Sequence, residues 1–382
     1  MIHQTFTGSD IVRAPGAPED FAVRMLRRAE LTDADRVRWA DLSAATGSAN
    51  IFAEGWFMDA ALRHTGSAHT TRLAIVQQTD GAWAGVLPLA IQPRFGRWPV
   101  ANWQTWSATN QFLGSPLLRP DVAHGFWTAL LGHLDDHGDV GTLLHCRQFA
   151  RDDPACAALI DVCAATGRGF RLLDSIERAA RLPNQTTAPH DSKTLARLRS
   201  LQRRLDRDHG PVSIDMRTAS AGCESWIDGF LTLEKSGWKG QAGSALACDP
   251  ETEGLFREVI AAGEARGLVR LATLSAGGRA LAMSSWFVGG DRGFGFKMAY
   301  DEAYRSYAPG LLLMRHVANE VNGHPAMLFD TCASAGNSCA RPLWSGNRTI
   351  FDCAVAVGSP LRRLFFDGLM QARAAYTAIV PG

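Results

Sequence analysis

Two carboxylates occur at points of the sequence where acid–base chemistry is often carried out. Glu234 lies at the end of a predicted helix (223–235), just before a glycine-rich segment, and Asp330 ends a predicted strand (326–332). Functional side chains of open sheets cluster at the carboxyl ends of strands, and a carboxylate partly removed from water can act as a base near neutral pH. Either residue could therefore accept a proton from a substrate. Each could equally cap or brace the adjacent loop.

Lysine and tyrosine side chains could assist such a proton transfer. A second predicted strand, 293–300, carries Lys297 and Tyr300, and Lys239 follows Glu234 in the glycine-rich segment. A lysine can stabilise developing negative charge, and a tyrosine hydroxyl can protonate a leaving group. The alternatives are a solvated lysine at a strand edge and a buried tyrosine whose hydroxyl bonds within the fold.

The chain after this strand has the pattern of an anion-binding site. A polar loop, 301–308, is followed by Pro309 and Gly310 and then by a helix with one apolar face. Proline fits the first turn of a helix, and glycine lets a ligand approach the backbone closely. The free N–H groups of a helix start and the helix dipole favour phosphate. The pattern predicts a phosphate or pyrophosphate pocket, although helix capping alone would also explain the proline and glycine.

The segment FKMAYDEAYRSYAPGLLL, residues 296–313, resembles the core of the CelD/BcsL-type acyltransferases. These are GNAT-fold enzymes related to the FemABX peptidyltransferases. In that family a Tyr-x-Pro-Gly segment, here Tyr307 to Gly310, replaces the usual Arg/Gln-x-x-Gly-x-Gly/Ala acyl-CoA loop. The segment has one glycine where the ordinary acetyl-CoA loop has two. Three further segments resemble the family in the same order, at 233–246, 328–333 and 342–350.

The resemblance implies a donor, a reaction and a set of site residues. The donor would be acetyl-CoA or another acyl-CoA, attacked directly by the acceptor without a covalent enzyme intermediate and without a metal. Backbone N–H groups for the acyl carbonyl would come from two splayed central strands, 281–288 and 293–300. The expected catalytic residues are Glu234, Lys297, Tyr300 and Asp330, the expected acyl-CoA-binding residues are Tyr307, Pro309, Gly310, Leu311 and Leu312, and the expected substrate-binding residues are Trp238, Lys239 and Asp301.

A repeated segment predicts that the chain has two related halves. RLAIVQQTDGAWAGVLPLAI at 72–91 aligns with RLATLSAGGRALAMSSWFV at 270–288, and each has an Arg-Leu-Ala start, a turn and an apolar strand. Such hairpins are common, so chance similarity is an alternative, but the offset of about half the chain favours two copies of one unit. We expect an α/β fold of two tandem GNAT-like domains with mixed sheets: 1–185 on the acceptor side and 186–382 with the acyl-CoA site.

Composition narrows the choice of partners and location. The 39 basic and 38 acidic side chains give a formal charge of +1, which provides no overall attraction to nucleic acid or to an anionic membrane. Eight scattered cysteines without a C-x-x-C pair favour a reducing compartment. Since no apolar run of about 18 residues and no signal peptide occur, we expect no membrane span and a cytoplasmic location. His133 and His137 lack an evident third ligand, so no metal site is expected.

Three functions are compatible with these patterns. The leading one is acyl transfer from acyl-CoA to an amine or hydroxyl of a small molecule or glycan precursor, which the family name links to cellulose or exopolysaccharide biosynthesis. The second is aminoacyl transfer from a charged tRNA, as in the FemABX relatives. An arginine-rich predicted helix at 192–208 favours tRNA, whereas the near-zero net charge argues against it. The third is a binding module built on a degenerate GNAT fold, favoured by the single glycine of the loop.

Overall fold

A similar order of strands and helices occurs twice along the chain. The computed structural model describes residues 20–47, 49–137, 141–185, 192–218, 222–334 and 343–379. The strands are β1 (Phe21–Leu26), β2 (Arg72–Gln78), β3 (Trp83–Gln92), β4 (Asn102–Thr105), β5 (Leu117–Leu118), β6 (Leu143–Ala150), β7 (Phe170–Arg181), β8 (Val212–Thr218), β9 (Val269–Ala276), β10 (Arg279–Gly289), β11 (Arg292–Tyr300), β12 (Leu328–Asp330) and β13 (Gly346–Ala356). The helices are α1 (Asp33–Ala45), α2 (Gly55–His64), α3 (Ala123–Asp136), α4 (Pro154–Ala165), α5 (Ser192–His209), α6 (Glu224–Ser236), α7 (Trp238–Gln241), α8 (Pro250–Glu264), α9 (Pro309–Asn322) and α10 (Pro360–Ile379).

One mixed sheet contains all of these strands. Its order is β1-β2-β3-β4-β6-β13-β7-β12-β11-β10-β9-β8, and β5 pairs with β3. Two pairs are parallel, β4 with β6 and β11 with β12, and the other described pairs are antiparallel. The predicted α/β class with a mixed sheet is therefore confirmed.

The two halves repeat one arrangement and exchange their last strands. The aligned segments form the hairpins β2–β3 and β9–β10, and each half continues with a strand, a helix and a parallel partner strand. β7, the last strand of the first half, pairs with β12 of the second half. β13, the last strand of the second half, pairs with β6 of the first half. Because β7 and β13 also pair with each other, the sheet runs without a break from one half to the other.

Aromatic side chains from both halves form a shared core. The Phe52 and Phe294 rings lie 5.6 Å apart, and those of Phe57 and Phe287 lie 6.1 Å apart, in edge-on arrangements that aromatic rings prefer. All four side chains are fully buried. The two copies are thus joined by packing as well as by strand pairing. None of the helices in the described ranges has both the length and the apolar character needed to cross a membrane.

Candidate active site

A cleft opens where β11 and β12 separate. The two strands pair only from Arg292↔Leu328 to Phe294↔Asp330, after which β12 ends and β11 continues. At the point of separation a Cβ on Gly295 would lie 2.3 Å from the Thr331 carbonyl oxygen, so a side chain there would force the backbone apart. Alternate backbone polar groups of β11 point toward the side that β12 has left, and they face the cleft.

The predicted pair of splayed strands was wrong. β10 and β11, which contain 281–288 and 293–300, pair from Ala282↔Tyr300 to Gly289↔Arg292 with one irregularity between Ser285 and Trp286. Their hairpin keeps them together, since a tight turn joins them. The strand that diverges from β11 is β12, its neighbour in the sheet on the side opposite β10.

The cleft holds a cavity of about 530 Å³ and gathers part of the predicted site. Five of the expected residues line it: Glu234, Trp238, Lys239, Lys297 and Tyr300. Among the described residues, the lining does not include the other seven: Asp301, Tyr307, Pro309, Gly310, Leu311, Leu312 and Asp330. The structure therefore brings most of the expected catalytic and acceptor residues together, and the expected donor-loop residues are not among the described residues that line the cavity.

Glu234 and Lys239 form an ion pair at this cavity. The Lys239 Nζ donates to Glu234 Oε1 at 2.7 Å, and the Leu246 N–H donates to Glu234 Oε2 at 2.8 Å. Glu234 is only 4% exposed. The glycine-rich segment after α6 contains α7 and a 3₁₀ turn at Leu246–Cys248. These short helices hold the lysine and the amide against the carboxylate, so both carboxylate oxygens already have partners.

Lys297 is a buried lysine of the cavity whose pKa departs strongly from its usual value. Burial, together with the positive charge of Lys239, lowers the pKa of its amine to about 8, and the carboxylate of Glu234 acts in the opposite direction. The Lys297 Nζ donates to the Asn110 Oδ1 and lies 5.7 Å from the centre of the Phe112 ring. Both contacts come from the first half of the chain. An amine with this pKa is about half uncharged near pH 8.

Asp330 has a structural position beside the cleft. It is fully buried, its Oδ2 lies 3.2 Å from Arg348 Nη1 and 3.7 Å from Arg178 Nη1, and its Oδ1 accepts the Cys332 N–H at 2.8 Å. Arg348 also pairs with Asp152 at 2.9 Å. The carboxylate therefore links β12 to β7 and β13, and its position does not support the role of base expected from the sequence.

Asp301 closes the loop before α9 and lies beside a different cavity. Its Oδ1 accepts the Ala303 N–H at 3.0 Å, which caps a 3₁₀ turn at Glu302–Tyr307. Its Oδ2 accepts from Arg279 Nη2 at 2.7 Å. The adjoining cavity, about 510 Å³, lies between α6 and the strands β9 and β10. The carboxylate of Asp301 is thus bound to its own loop and to Arg279 of β10.

The start of α9 has the backbone form that the sequence predicted. Ala308 adopts a left-handed conformation with φ of 51°, and Pro309 takes the first helical position. The Leu312 N–H donates to the Ala308 carbonyl, so the amides of Gly310 and Leu311 precede the first intrahelical bond. Gly310 is buried, and a Cβ there would lie 3.3 Å from Tyr300 Cδ1.

Tyr307 connects this loop to the arginine-rich helix α5. Its hydroxyl donates to Asp208 Oδ2 at 3.1 Å, and the Arg204 guanidinium carbon lies 4.5 Å from its ring centre. Arg204 also donates to the Ser306 carbonyl at 2.5 Å. The basic face of α5 therefore lies next to the predicted phosphate loop.

The corresponding region of the first half is filled by the chain itself. Beyond the short pairing of β4 with β6, the Gly114 N–H donates to the Gln148 carbonyl at 3.0 Å. A Cβ on Gly114 would lie 2.1 Å from the Arg147 carbonyl oxygen. The Ser115 Oγ accepts the Ala150 N–H at 3.3 Å. The free edge of β6 is thus covered by the described residues of the chain itself.

Sequence reasoning missed Asn110 and Phe112. They belong to the tryptophan-rich segment 98–118. Trp103 and Trp106 are buried in the core. Asparagine tolerates a left-handed backbone, and Asn110 adopts one with φ of 73°. That preference could have marked a turn at Asn110, but it does not indicate which residue the side chain contacts.

Comparison with protein families identifies the part of the chain that holds this cleft. Residues 192–336 match the model of the acetyltransferase (GNAT) domain family. The matched range begins with α5 and includes the strands and helix around the cavity. The second half is thus similar in sequence to a GNAT acetyltransferase domain. A search of curated protein sequences finds no match.

Comparison with solved structures finds similar chains that cover most of this one. A conserved protein of unknown function from Bacteroides thetaiotaomicron is 13% identical, covers 86% of this chain and 97% of its own, and has a TM-score of 0.50. FemX is 11% identical over 82% and 95% of the two chains with a TM-score of 0.49. A tandem GNAT protein from the clavulanic acid biosynthesis pathway is 16% identical over 88% and 98%, with a TM-score of 0.46.

Proposed function

We propose that this protein transfers an acyl group from acyl-CoA to an amine or hydroxyl acceptor in the cleft between β11 and β12. One observation carries the proposal: inside the range matched to the GNAT acetyltransferase domain, two parallel strands separate around a cavity that holds a buried lysine of lowered pKa. Backbone N–H groups of an open strand edge can stabilise the developing oxyanion, and an amine that is partly uncharged near pH 8 can act as the general base.

In the proposed reaction, the acceptor attacks the thioester carbonyl carbon. A bond forms from the acceptor nitrogen or oxygen to that carbon, and the carbon–sulfur bond breaks with its electron pair leaving on the sulfur of coenzyme A. The uncharged amine of Lys297 takes the proton that the acceptor loses. Tyr300, in the same cavity, is the proposed proton donor to the sulfur. Glu234 and Lys239, already paired at 2.7 Å, set the electrostatic field around Lys297.

We propose that the donor's phosphates bind at the start of α9. The amides of Gly310 and Leu311 precede the first intrahelical hydrogen bond, and Arg204 contacts the same loop. Oriented amides and a guanidinium are suitable donors for a pyrophosphate. Tyr307, Pro309 and Leu312 would shape this loop, and the cavity at Lys297 would receive the acyl end.

The acceptor is proposed to enter past Trp238. This side chain lines the cavity and is 54% exposed, which suits an aromatic platform for a sugar or another amphipathic acceptor. The resemblance of 233–246 to CelD/BcsL-type enzymes supports a glycan precursor, and we propose a role in polysaccharide biosynthesis on that basis. Asp301 lies outside the cavity lining, so its proposed contribution to acceptor binding is limited to holding the adjacent loop.

The test measures coenzyme A release from acetyl-CoA with a panel of amino sugars, amines and alcohols. We expect acceptor-dependent release by the wild type and a loss of at least a hundredfold in Lys297→Met, since general base catalysis contributes about that much or more. Lys235→Met is the matched control. Lys235 is exposed, and it is not among the described residues that line the cavity. Equal activity of the two variants would refute the role of Lys297.

Aminoacyl transfer from a charged tRNA is the second candidate. The observation that favours it is the arginine-rich face of α5 beside the start of α9, where Arg204 contacts the loop. An RNA backbone could lie along such a face. Binding of charged tRNA at physiological salt, without binding of any acyl-CoA, would replace the leading proposal by this one.

A further inference from the structure

The loop between β4 and α3 reaches from the first half into the cleft of the second. By position in the repeat it corresponds to the loop between β11 and α9, the proposed phosphate loop. In the first half, the described part of this loop packs on β6, where the Gly114 N–H donates to the Gln148 carbonyl. It also carries Asn110 to the amine of Lys297 and Phe112 to within 5.7 Å of the same amine. The counterpart of a ligand loop has become part of the neighbouring site.

The turn that presents Asn110 is held by its own hydrogen bonds. The Gln111 Oε1 accepts the Ala108 N–H at 3.2 Å, and the Gln111 N–H donates to the Ala108 carbonyl at 3.2 Å. The Gln111 Nε2 donates to the Leu113 carbonyl at 3.2 Å, and Gln111 is only 4% exposed. Asn110 sits within this turn at φ of 73°, a conformation that asparagine adopts more readily than most residues. Its amide is therefore presented from a fixed backbone.

We propose that Asn110 is a positioning residue for Lys297, supplied by the first half, and that its side-chain carbonyl directs the lone pair of the uncharged Lys297 amine toward the acceptor. An uncharged amine has two hydrogens and one lone pair. When one hydrogen is donated to Asn110 Oδ1, rotation about the last carbon–nitrogen bond is restricted. The lone pair is then confined to the two staggered positions that do not face Asn110. This inference rests on the proposed function, in which that lone pair accepts the acceptor's proton.

An amide suits this position better than a carboxylate. The titratable groups that line the same cavity as Lys297 are Glu234 from α6, Lys239 from α7, Glu302 from the 3₁₀ turn, Tyr300 from its own strand and Cys332 after β12. Glu234 already favours the charged amine, and its effect is opposed by Lys239 and by burial. A second carboxylate in contact with the amine would stabilise the ammonium form and remove the base near neutral pH. The neutral Asn110 orients the amine without adding that charge.

Two variants and one matched control test the inference. Asn110→Asp keeps the shape and adds a charge, whereas Asn110→Gly removes the amide and tolerates the left-handed backbone. Asn184→Asp is the control, because Asn184 also has a positive φ (54°) and is exposed outside the cavity lining. The chain has only four lysines. The titration of each can therefore be followed by NMR of protein labelled with ¹³C at the lysine Cε.

We expect the Lys297 midpoint to lie at about 8 in the wild type. In Asn110→Asp it should rise by about 1 to 3 units, and in Asn184→Asp it should not move. In Asn110→Asp, the pH at which coenzyme A release reaches half its maximum should rise together with the Lys297 midpoint. In Asn110→Gly, kcat should fall by roughly tenfold to a hundredfold with KM little changed, because misplacing a reacting group reduces the chemical step.

The two measurements distinguish failure of this inference from failure of the proposed function. An unchanged Lys297 midpoint in Asn110→Asp, or an equal change in the control, overturns the contact and with it the inference. A raised midpoint in Asn110→Asp without a shift of the activity profile supports the contact but removes Lys297 as the base. If Asn110→Asp does not fold, the kcat and KM of Asn110→Gly decide: wild-type values overturn the inference.

Discussion

Replacement of Asp330 by asparagine distinguishes a structural carboxylate from a catalytic one. Asparagine keeps the shape and can still accept the Cys332 N–H, but it removes the charge between two buried guanidiniums. At an effective dielectric constant of about 20, the attraction of the carboxylate to Arg348 at 3.2 Å is about 5 kcal/mol, and to Arg178 at 3.7 Å about 4 kcal/mol. The cost of burying the charges offsets much of this, and removal of one partner from a buried pair typically costs about 3–5 kcal/mol.

We expect the lower end of that range, about 3 kcal/mol, because Arg348 keeps its contact with Asp152 at 2.9 Å. With an unfolding entropy of about 2.1 cal/mol/K per residue over 382 residues, this corresponds to a fall in Tm of about 4 °C. Thermal and urea unfolding provide the measurement. Asp367→Asn is the control, since Asp367 pairs with Arg171 at the surface with 47% side-chain exposure and should change stability by less than about 0.5 kcal/mol. Unchanged stability of Asp330→Asn, combined with a loss of transfer above a hundredfold, would refute the structural assignment and restore Asp330 as the base.

Three further predictions concern the cleft and the donor loop. The transfer rate should rise with pH through a midpoint at about 8, because the uncharged form of Lys297 is the active one; a rate that is flat between pH 6.5 and 9.5 would contradict this. Lys239→Met should move that midpoint to higher pH, since it removes a positive charge that lowers the Lys297 pKa and leaves Glu234, which raises it. Gly310→Val should weaken coenzyme A binding by about tenfold to a hundredfold, the loss of one to two charge-assisted hydrogen bonds, with an unchanged circular dichroism spectrum. Its new Cβ would lie 3.3 Å from Tyr300 Cδ1, and wild-type affinity in a calorimetric titration would show that the loop does not hold phosphate.

The fold could be predicted from the sequence as far as its patterns were local. The hairpins at 72–91 and 270–288 were found because turn residues and apolar strands follow one another within twenty residues. The start of α9 was found for the same reason, since Pro309 and Gly310 determine the backbone in their immediate surroundings. Exchange of β7 and β13 between the halves has no local signature. It depends on pairing between segments more than 150 residues apart, such as Thr349 with Glu177.

The candidate site shows the same division between local and distant contacts. Glu234 and Lys239 are five residues apart, and their pairing follows from the end of α6 and the short helix after it. The partners of Asp330 could not be inferred, because Arg178 lies on β7 and Arg348 on β13. A carboxylate at the end of a strand predicts a base or a brace equally well. Only the position of the two guanidiniums distinguishes these roles.

The exchanged strand β7 explains why the cleft draws residues from both halves. Arg178 lies on β7, and its Nη1 is 3.7 Å from Asp330 and donates to the Phe112 carbonyl at 2.8 Å. The same guanidinium therefore joins the end of β12, where the cleft begins, to the loop that carries Asn110. Because β7 originates in the first half but lies beside β12, the first half's loop is fixed relative to Lys297 by a buried charge and not by loop packing alone. A mutation of Asp330 should consequently affect Lys297 through Arg178 and Asn110, without any direct contact between the carboxylate and the cavity.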